Sequence, residues 1–288
     1  WYRNMIIKEI KTERVLSRTQ ISIADYVINP YRGCLFGCAY CYSAGNKTTR
    51  HKVWGDFLEI KANAPEVLAR ELLSITPRRV LLGSTTECFH YAELRYRITE
   101  QILRSLNGRG IPYTILTRSD AIRYYVPLIR ENPQNKVYVT LGSDQPFFKD
   151  LFEPRSPFLR KRIEALSQLR AAGIQVRAHI SPVIPYVVDV LDILSRIHGV
   201  VDEVGIEFYN AKMGPSMFSQ AVNRLPSDLG EKIRSVYANK ESYQVFFAEM
   251  RSRINEANKT HGFKLFFVFP PYDEYYSNNI VYEQTQDP

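Results

Sequence analysis

Three cysteines lie close together near the start of the chain. Cys34, Cys38 and Cys41 are separated by three residues and then by two, and the fourth cysteine, Cys88, lies well downstream. A disulfide framework normally spreads an even number of cysteines along a secreted chain, so this spacing favours a metal or cluster site. Three thiolates on a compact loop can bind three irons of a four-iron, four-sulfur (4Fe-4S) cluster. The missing fourth thiolate then leaves one iron free to bind another ligand.

Zinc is the alternative occupant of this cysteine loop. Cys88 or His90 would then supply the fourth ligand, but zinc modules usually offer two Cys or His pairs and the chain has no second pair. Inert buried cysteines are disfavoured, because three neighbouring thiols invite oxidation or metal capture. Gly33 and Gly37 let the loop wrap closely, since glycine reaches conformations that other residues avoid. The pattern favours an iron–sulfur cluster over zinc.

The segments around this loop alternate short β-branched runs with longer amphipathic stretches. This alternation predicts repeated βα units and a parallel sheet. A complete eight-unit barrel needs about 250 residues. The six predicted units span fewer residues, from 26 to 208. We therefore predict an α/β fold, a partial (β/α)6 TIM-type barrel. The strands are predicted at 26–29, 79–83, 113–117, 136–140, 174–180 and 204–208, and the helices at 65–76, 92–106, 121–130, 158–172 and 187–197.

The chain is predicted to have three parts. Residues 1–22 form an N-terminal extension, 23–210 the barrel, and 211–288 a C-terminal α/β extension packed on the barrel. That extension contains predicted helices at 226–238 and 241–259 and a strand at 264–269. The chain has no run of 18 apolar residues and no signal peptide at its start, which predicts a cytoplasmic protein without a membrane partner. The net charge of +8 favours anionic partners.

Polar residues follow every predicted strand. Reactive groups of such barrels lie at the carboxyl ends of the strands, so these residues are candidates for a site. They include Thr86 and Glu87 after strand two, Arg118 after strand three, Thr140 and Asp144 at strand four, Ser181 after strand five and Tyr209 after strand six.

The cysteine spacing resembles the signature of the radical S-adenosylmethionine (SAM) superfamily. An aromatic residue, Tyr40, precedes the last cysteine, as in that signature. The sequence at 29–34 and 40–42 is similar, more narrowly, to the branch related to spore photoproduct lyase. Segments 61–66, 83–87, 153–157 and 182–185 continue this similarity in order and spacing, so that it covers about residues 10 to 210.

The resemblance implies a mechanism and its cofactors. A 4Fe-4S cluster on Cys34, Cys38 and Cys41 would bind SAM, and a ferredoxin or flavodoxin would supply one electron. Cleavage of SAM would give a 5′-deoxyadenosyl radical that removes hydrogen from a substrate, while the protein places the reactants and excludes water.

The resemblance also implies roles for single residues. Tyr40 matches an aromatic residue near the adenine, and Thr86 with Glu87 matches a polar pair that contacts the methionine amino group. Arg118 stands where relatives tend to have a lysine and would pair with the methionine carboxylate. The weaker cofactor-binding candidates are Thr140, Arg162 and Ser181, and for Arg162 an exposed basic helix face is the alternative.

Some residues depart from the pattern of the family. Spore photoproduct lyases carry a hydrogen-donating cysteine where this chain has Ser84, which argues against that activity here. Cys88 is either a hydrogen donor or, as free cysteines commonly are, a buried structural residue. The candidates for binding substrate are His90, Tyr91, Asp144 and Tyr209; a lone histidine such as His90 is otherwise a structural residue.

The favoured function is a radical SAM enzyme that acts on a nucleobase, a nucleic acid or another anionic substrate. One alternative keeps this chemistry but acts on a free small molecule, and salt-dependent binding to nucleic acid would distinguish the two. Another is a zinc-dependent nucleic-acid-binding module, which iron and sulfide analysis would separate from both.

Overall fold

The computed structural model describes residues 5–211, 214–270 and 272, together with the backbone of 281–284. In this part of the chain the strands are β1 (Ile6–Ile10), β2 (Ser17–Arg18), β3 (Tyr26–Ile28), β4 (Tyr31–Gly33), β5 (Phe57–Lys61), β6 (Val80–Leu82), β7 (Tyr113–Thr117), β8 (Lys136–Leu141), β9 (Gln175–Val183), β10 (Glu203–Phe208), β11 (Lys264–Phe269) and β12 (Val281–Gln284). The helices are α1 (Ala64–Glu71), α2 (Glu93–Tyr96), α3 (Ile98–Asn107), α4 (Val126–Ile129), α5 (Pro146–Leu151), α6 (Leu159–Ala171), α7 (Val190–Ile197), α8 (Ser216–Val222), α9 (Ser227–Val236) and α10 (Lys240–His261).

One large sheet is the centre of the fold. The strands β3, β6, β7, β8, β9, β10 and β11 lie side by side in chain order, and every neighbouring pair is parallel. The strands β2 and β12 are added antiparallel at the two ends. The parallel strands are apolar on the side that faces the helices, as strands covered by crossover helices are. The six predicted strands correspond to β3 and β6 to β10, which confirms the partial-barrel α/β fold.

The large sheet is curved and open. Ile21 and Ile23 precede β3 near one end of the strand order, whereas Phe266 and Val268 lie on β11 near the other end. All four line the same cavity. Among the described strands, the end strands β2 and β12 are not hydrogen-bonded to each other. The barrel is therefore not closed.

Three predicted helices differ from the observed ones. The helix expected at 65–76 ends at Glu71, the last residue of α1. The helix expected at 92–106 is divided into α2 and α3 at Arg97, whose backbone is left-handed with φ 52°. The helix expected at 121–130 begins as a 3-10 helix over Asp120–Tyr125 and becomes α-helical only at α4. None of the helices in the described residues has the length and apolar character needed to cross a membrane.

A second, small sheet supports the cysteine loop. Its strand order is β1–β5–β4, with β5 antiparallel to β4 and parallel to β1. The last residue of β4, Gly33, immediately precedes Cys34. This sheet and the helices α5 and α8 were not predicted from the sequence. The sheet positions the loop, because it anchors the residues on both sides of the cysteines.

Candidate active site

A cavity of about 370 Å³ lies at the carboxyl ends of the parallel strands and extends along their inner face. It is lined by residues of the cysteine loop, of the strands β7 to β11 and of the segments next to β3 and β6, which matches the place where barrel folds carry their reactive groups. Ten of the predicted site residues belong to this wall: Cys34, Cys38, Tyr40, Cys41, Thr86, Glu87, Arg118, Thr140, Ser181 and Tyr209.

Glycines and an arginine shape the cysteine loop. Gly33 has φ 85°, and a Cβ at this position would lie 2.5 Å from Cε2 of Phe57. Gly37 has φ 62°, and a Cβ there would lie 3.3 Å from Nη2 of Arg155. That guanidinium is held in turn by Asp56, 2.9 Å away. Only glycine combines these backbone conformations with so close an approach, so the loop depends on both residues.

The cysteine loop offers three sulfur donors to the cavity. All three loop cysteines are free thiols, and all three belong to the cavity wall. Three thiolates on one loop fit an iron–sulfur cluster, in which each thiolate binds a different iron.

Thr86 and Glu87 are buried at the end of β6. The Thr86 hydroxyl donates to the carbonyl oxygen of Gly33 at 2.5 Å, which ties this strand end to the cysteine loop. The Glu87 carboxylate accepts from the Thr117 hydroxyl at 2.6 Å and from the Arg118 backbone N–H at 3.0 Å. Burial raises the pKa of Glu87, although these hydrogen bonds oppose the shift. The carboxylate is thus fixed in the cavity wall.

Arg118 places a positive charge beside the cysteine loop. Its Nη1 lies 3.0 Å from Sγ of Cys38 and 2.5 Å from the hydroxyl of Tyr40. The guanidinium also lies over the Tyr40 ring, with Cζ 5.5 Å from the ring centre. Burial raises the pKa of the Cys38 thiol to about 11, against the opposing effect of Arg118. The position of Arg118 suits binding of an anionic group next to the loop.

Glu153 organises this region and was not predicted as a site residue. Its fully buried carboxylate accepts a hydrogen bond from Tyr40, lies 3.4 Å from Nη1 of Arg118 and pairs with Arg162. Burial alone would raise the pKa of Glu153, but the two guanidinium groups outweigh it and lower the pKa to about 2. The residue lies in segment 153–157, whose similarity to the family was the available signal.

Arg162 was predicted to contact the cofactor, and the structure places it outside the cavity wall. The side chain is almost completely buried. Besides its pair with Glu153, it donates to the carbonyl oxygens of Thr140 at 3.2 Å and Pro157 at 2.9 Å. Its donors are therefore used to hold Glu153 and the end of β8. Arg162 therefore supports the cavity wall through its contacts with Glu153 and Thr140. It does not belong to an exposed basic helix face, which was the alternative.

Cys88 and His90 are also absent from the cavity wall. Cys88 is fully buried, and Thr99 donates to its carbonyl oxygen at 2.8 Å. His90 packs edge-on against Tyr31 and Phe36, with ring centres 5.5 and 5.6 Å away. Both side chains are therefore packed inside the protein, outside the cavity wall.

Tyr91 and Asp144, two further substrate-binding candidates, likewise lie away from the cavity wall. Tyr91 is half exposed, with its hydroxyl 3.3 Å from Oδ1 of Asp120. Asp144 accepts from the backbone N–H at the start of α6 and pairs with Arg196 at 2.7 Å. Its carboxylate therefore connects α6 and α7. Of the four substrate-binding candidates, the structure brings only Tyr209 to the cavity.

The inner wall of the cavity contains charged residues that were not predicted. Arg177 lies between the rings of Tyr138 and Phe266, with Cζ 4.4 and 4.0 Å from their centres, and pairs with Glu203 at 2.7 Å. Polar residues at 177, 179 and 181 alternate with apolar ones at 176, 178 and 180. This period of two was the signal that could have identified the inward face of β9.

The chain is similar to known proteins in its sequence and in its fold. An uncharacterized protein of Methanocaldococcus jannaschii is 27% identical over 251 residues, which are 87% of this chain and 93% of that protein. The radical SAM Nalpha-GlyT isomerase of Pseudomonas phage M6 is 27% identical over 223 residues, 74% of this chain but only 45% of the phage protein. The fold is similar to spore photoproduct lyase complexed with dinucleoside spore photoproduct, with a TM-score of 0.63 and 13% identity over 91% of this chain and 82% of the lyase.

The match to a family model is decisive. The model described as the Radical SAM superfamily matches residues 28–195. This range includes the cysteine loop and four of the parallel strands, β6 to β9, and covers more than half of the chain. Members of this family use SAM and an iron–sulfur cluster. The chain therefore belongs to the radical SAM superfamily of enzymes.

Proposed function

We propose that Cys34, Cys38 and Cys41 hold a 4Fe-4S cluster, and that the enzyme removes a hydrogen atom from a nucleobase, free or within nucleic acid. When bound, the cluster and SAM supply a 5′-deoxyadenosyl radical by one-electron cleavage. The observation that carries this proposal is the common cavity. It brings three thiols with no fourth loop ligand together with Glu87 and Arg118.

The side chains around the loop can orient SAM through its charges. The Glu87 carboxylate suits the methionine ammonium group, and Arg118 suits its carboxylate, because opposite charges in a buried cavity form strong hydrogen bonds. The rings of Tyr40 and Tyr209 lie edge to face with centres 6.2 Å apart. They offer an aromatic surface for the adenine. Burial of these groups limits the access of water to the reacting atoms.

A similar solved structure and the net charge of the chain support a nucleobase as the substrate. The solved lyase with a similar fold holds a dinucleoside spore photoproduct, and the net charge of +8 favours a polyanionic carrier such as nucleic acid. Ser84 stands where the hydrogen-donating cysteine of spore photoproduct lyases is found, so the reaction on the base is expected to differ from theirs.

The first test is formation of 5′-deoxyadenosine. Anaerobically reconstituted protein, incubated with SAM and dithionite, should produce 5′-deoxyadenosine, and Cys38→Ala should reduce the product to background because one thiolate of the loop is lost. Chromatography with mass detection measures the product, and iron and sulfide are assayed in parallel.

Cys88→Ala is the matched control, since Cys88 is buried away from the cavity wall. It should retain the iron and sulfide content of the unaltered protein. Undiminished product from Cys38→Ala, or an unaltered protein without labile sulfide, would contradict the proposed function.

A further inference from the structure

The inner face of the curved sheet presents residues in rows across neighbouring strands. Register partners on β8, β9, β10 and β11 lie side by side, and the side chains of alternate residues point into the cavity. One row consists of Thr140, His179, Gly205 and Phe266. His179 lies two residues before Ser181 on β9, so this row is about 7 Å deeper in the cavity than Ser181.

Gly205 creates space in this row for the imidazole of His179. A Cβ at position 205 would lie 2.6 Å from Nδ1 of His179, closer than two such atoms can approach. The φ angle of Gly205 is not in the left-handed region, so the requirement for glycine here is one of space. The absent side chain allows the imidazole to lie over the neighbouring strand.

From this position His179 reaches Glu207 in the next row. Its Nε2 lies 3.2 Å from Oε2 of Glu207, and the Ser181 hydroxyl donates to the same oxygen at 2.6 Å. These two side chains of β9 therefore help to fix the orientation of the Glu207 carboxylate. The contacts among these three residues were not predicted from the sequence. Ser181 was expected only to contact the cofactor.

His179 and Glu207 remain accessible from the cavity. Their side chains are 21% and 23% exposed, and both residues line the wall. On the opposite face of β9, Ala178 and Ile180 are completely buried. The pair therefore faces the ligand space and is not part of the apolar core.

The charges of the wall indicate which group would bind here. Among the described lining residues, the arginines are Arg118 near the loop and Arg177 deeper in the cavity. Arg177 is held by Glu203 and by the rings of Tyr138 and Phe266. An N–H donor of a ligand would form a charge-assisted hydrogen bond with the Glu207 carboxylate.

We propose that Glu207, oriented by His179 and Ser181, is a specificity-determining residue that accepts a hydrogen bond from an N–H group of an uncharged heterocyclic ring. The proposal rests on the proposed function and names the group of the substrate that this wall recognises. The base lies inside, below the strand ends, and any phosphate that it carries lies toward the mouth of the cavity. Gly205 is a positioning residue, because its lack of a side chain determines where the His179 imidazole lies.

The test is binding of nucleosides to reconstituted protein with SAM and without reductant. The probes are thymidine, cytidine, adenosine and guanosine, each with its 5′-monophosphate, and saturation-transfer NMR with equilibrium dialysis measures binding. At least one nucleoside should bind, and its monophosphate should bind with an affinity within about tenfold. Glu207→Gln should weaken nucleoside binding by about tenfold or more, as expected for a lost hydrogen bond to a charged group.

Gly205→Ala should have the same effect, because the new methyl group displaces His179. It provides a second measurement if Glu207→Gln is poorly folded, and thermal unfolding is recorded for both. Asp202→Asn is the charge-matched control, since Asp202 lies just before β10 and pairs with the exposed Arg170. It should bind nucleosides as the unaltered protein does.

Three outcomes would overturn this inference: no probe binds, both variants bind as tightly as the unaltered protein, or a monophosphate binds more than tenfold tighter than its nucleoside. The last would indicate recognition of an anion. None of these measurements involves reduction of SAM. Failure of the inference is therefore distinct from failure of the proposed function, which absence of 5′-deoxyadenosine would reveal.

Discussion

Burial of a single imidazole, that of His90, affects stability in acid. Among the described residues, neither of its ring nitrogens has a hydrogen-bonding partner. Burial lowers the pKa of His90 from 6.5 to about 3. A group whose pKa is lower in the folded state contributes stability above its unfolded pKa and loses it as the pH falls. The folded protein therefore becomes less stable between pH 6.5 and pH 3.

We expect His90→Leu to reduce this acid sensitivity. The free energy of unfolding of the unaltered protein should fall by about 2 kcal/mol more than that of the variant between pH 8 and pH 5. At pH 8 the two proteins should differ by less than about 1.5 kcal/mol, because the side chains are similar in size. Urea unfolding at both pH values measures this. Parallel pH dependence in the two proteins would show that His90 titrates normally and is accessible.

Site residues differ in how far the sequence reveals them. The cysteines and Tyr40 lie within one short segment, so their spacing is visible directly. Glu153 acts through Arg118 and Arg162, and its contact with Arg118 joins residues 35 positions apart. The role of Glu207 depends on pairing of β9 with β10. Such contacts come from the tertiary fold, and local patterns do not contain them.

At the scale of elements, the cysteine loop depends on its glycines. Gly33→Ala places a methyl group against Phe57 at a residue with φ 85°. It should lower the free energy of unfolding by about 3 kcal/mol or more, and it should reduce the iron bound per chain after reconstitution. Denaturant unfolding and iron analysis measure the two effects.

Gly110→Ala separates backbone strain from steric contact. Gly110 has φ 66°, and a Cβ there would have nothing within 4 Å. This variant should lose only about 1–2 kcal/mol, the cost of a left-handed conformation, and should retain full iron content. Equal losses of stability and iron in the two variants would contradict the structural role of Gly33.

Strands and helices could be predicted where their own residues show a pattern of apolar and turn residues. The strands β6 to β10 are apolar runs between turn residues, and each was found near its predicted position. The small sheet was missed because β4 has only three residues, two of them Arg32 and Gly33. Its extended conformation comes from pairing with β5. Helix α3 was predicted too long at its start, because Arg97 has a left-handed backbone that composition does not indicate.

At the scale of the whole molecule, α10 packs against the large sheet through Phe247. This side chain is 2% exposed, and its ring centre lies 4.5 Å from that of Phe208 on β10. Residues 214–270 should therefore unfold together with the barrel. Phe247→Ala should lower the free energy of unfolding by about 3–5 kcal/mol in one transition.

Val245→Ala on the same helix is the control. Val245 is 51% exposed, so its truncation should change stability by no more than about 0.5 kcal/mol. Calorimetry and circular dichroism should report coincident transitions for both variants. Separate transitions in Phe247→Ala would show that the C-terminal part folds independently of the barrel.

The unpaired ends of the curved sheet have a mechanical consequence. A closed barrel has a circumference set by its ladder of hydrogen bonds, and widening it would break a ladder. In the described part of this chain no ladder joins β2 to β12. The curvature of the sheet can therefore change without the loss of any strand pairing between these two end strands.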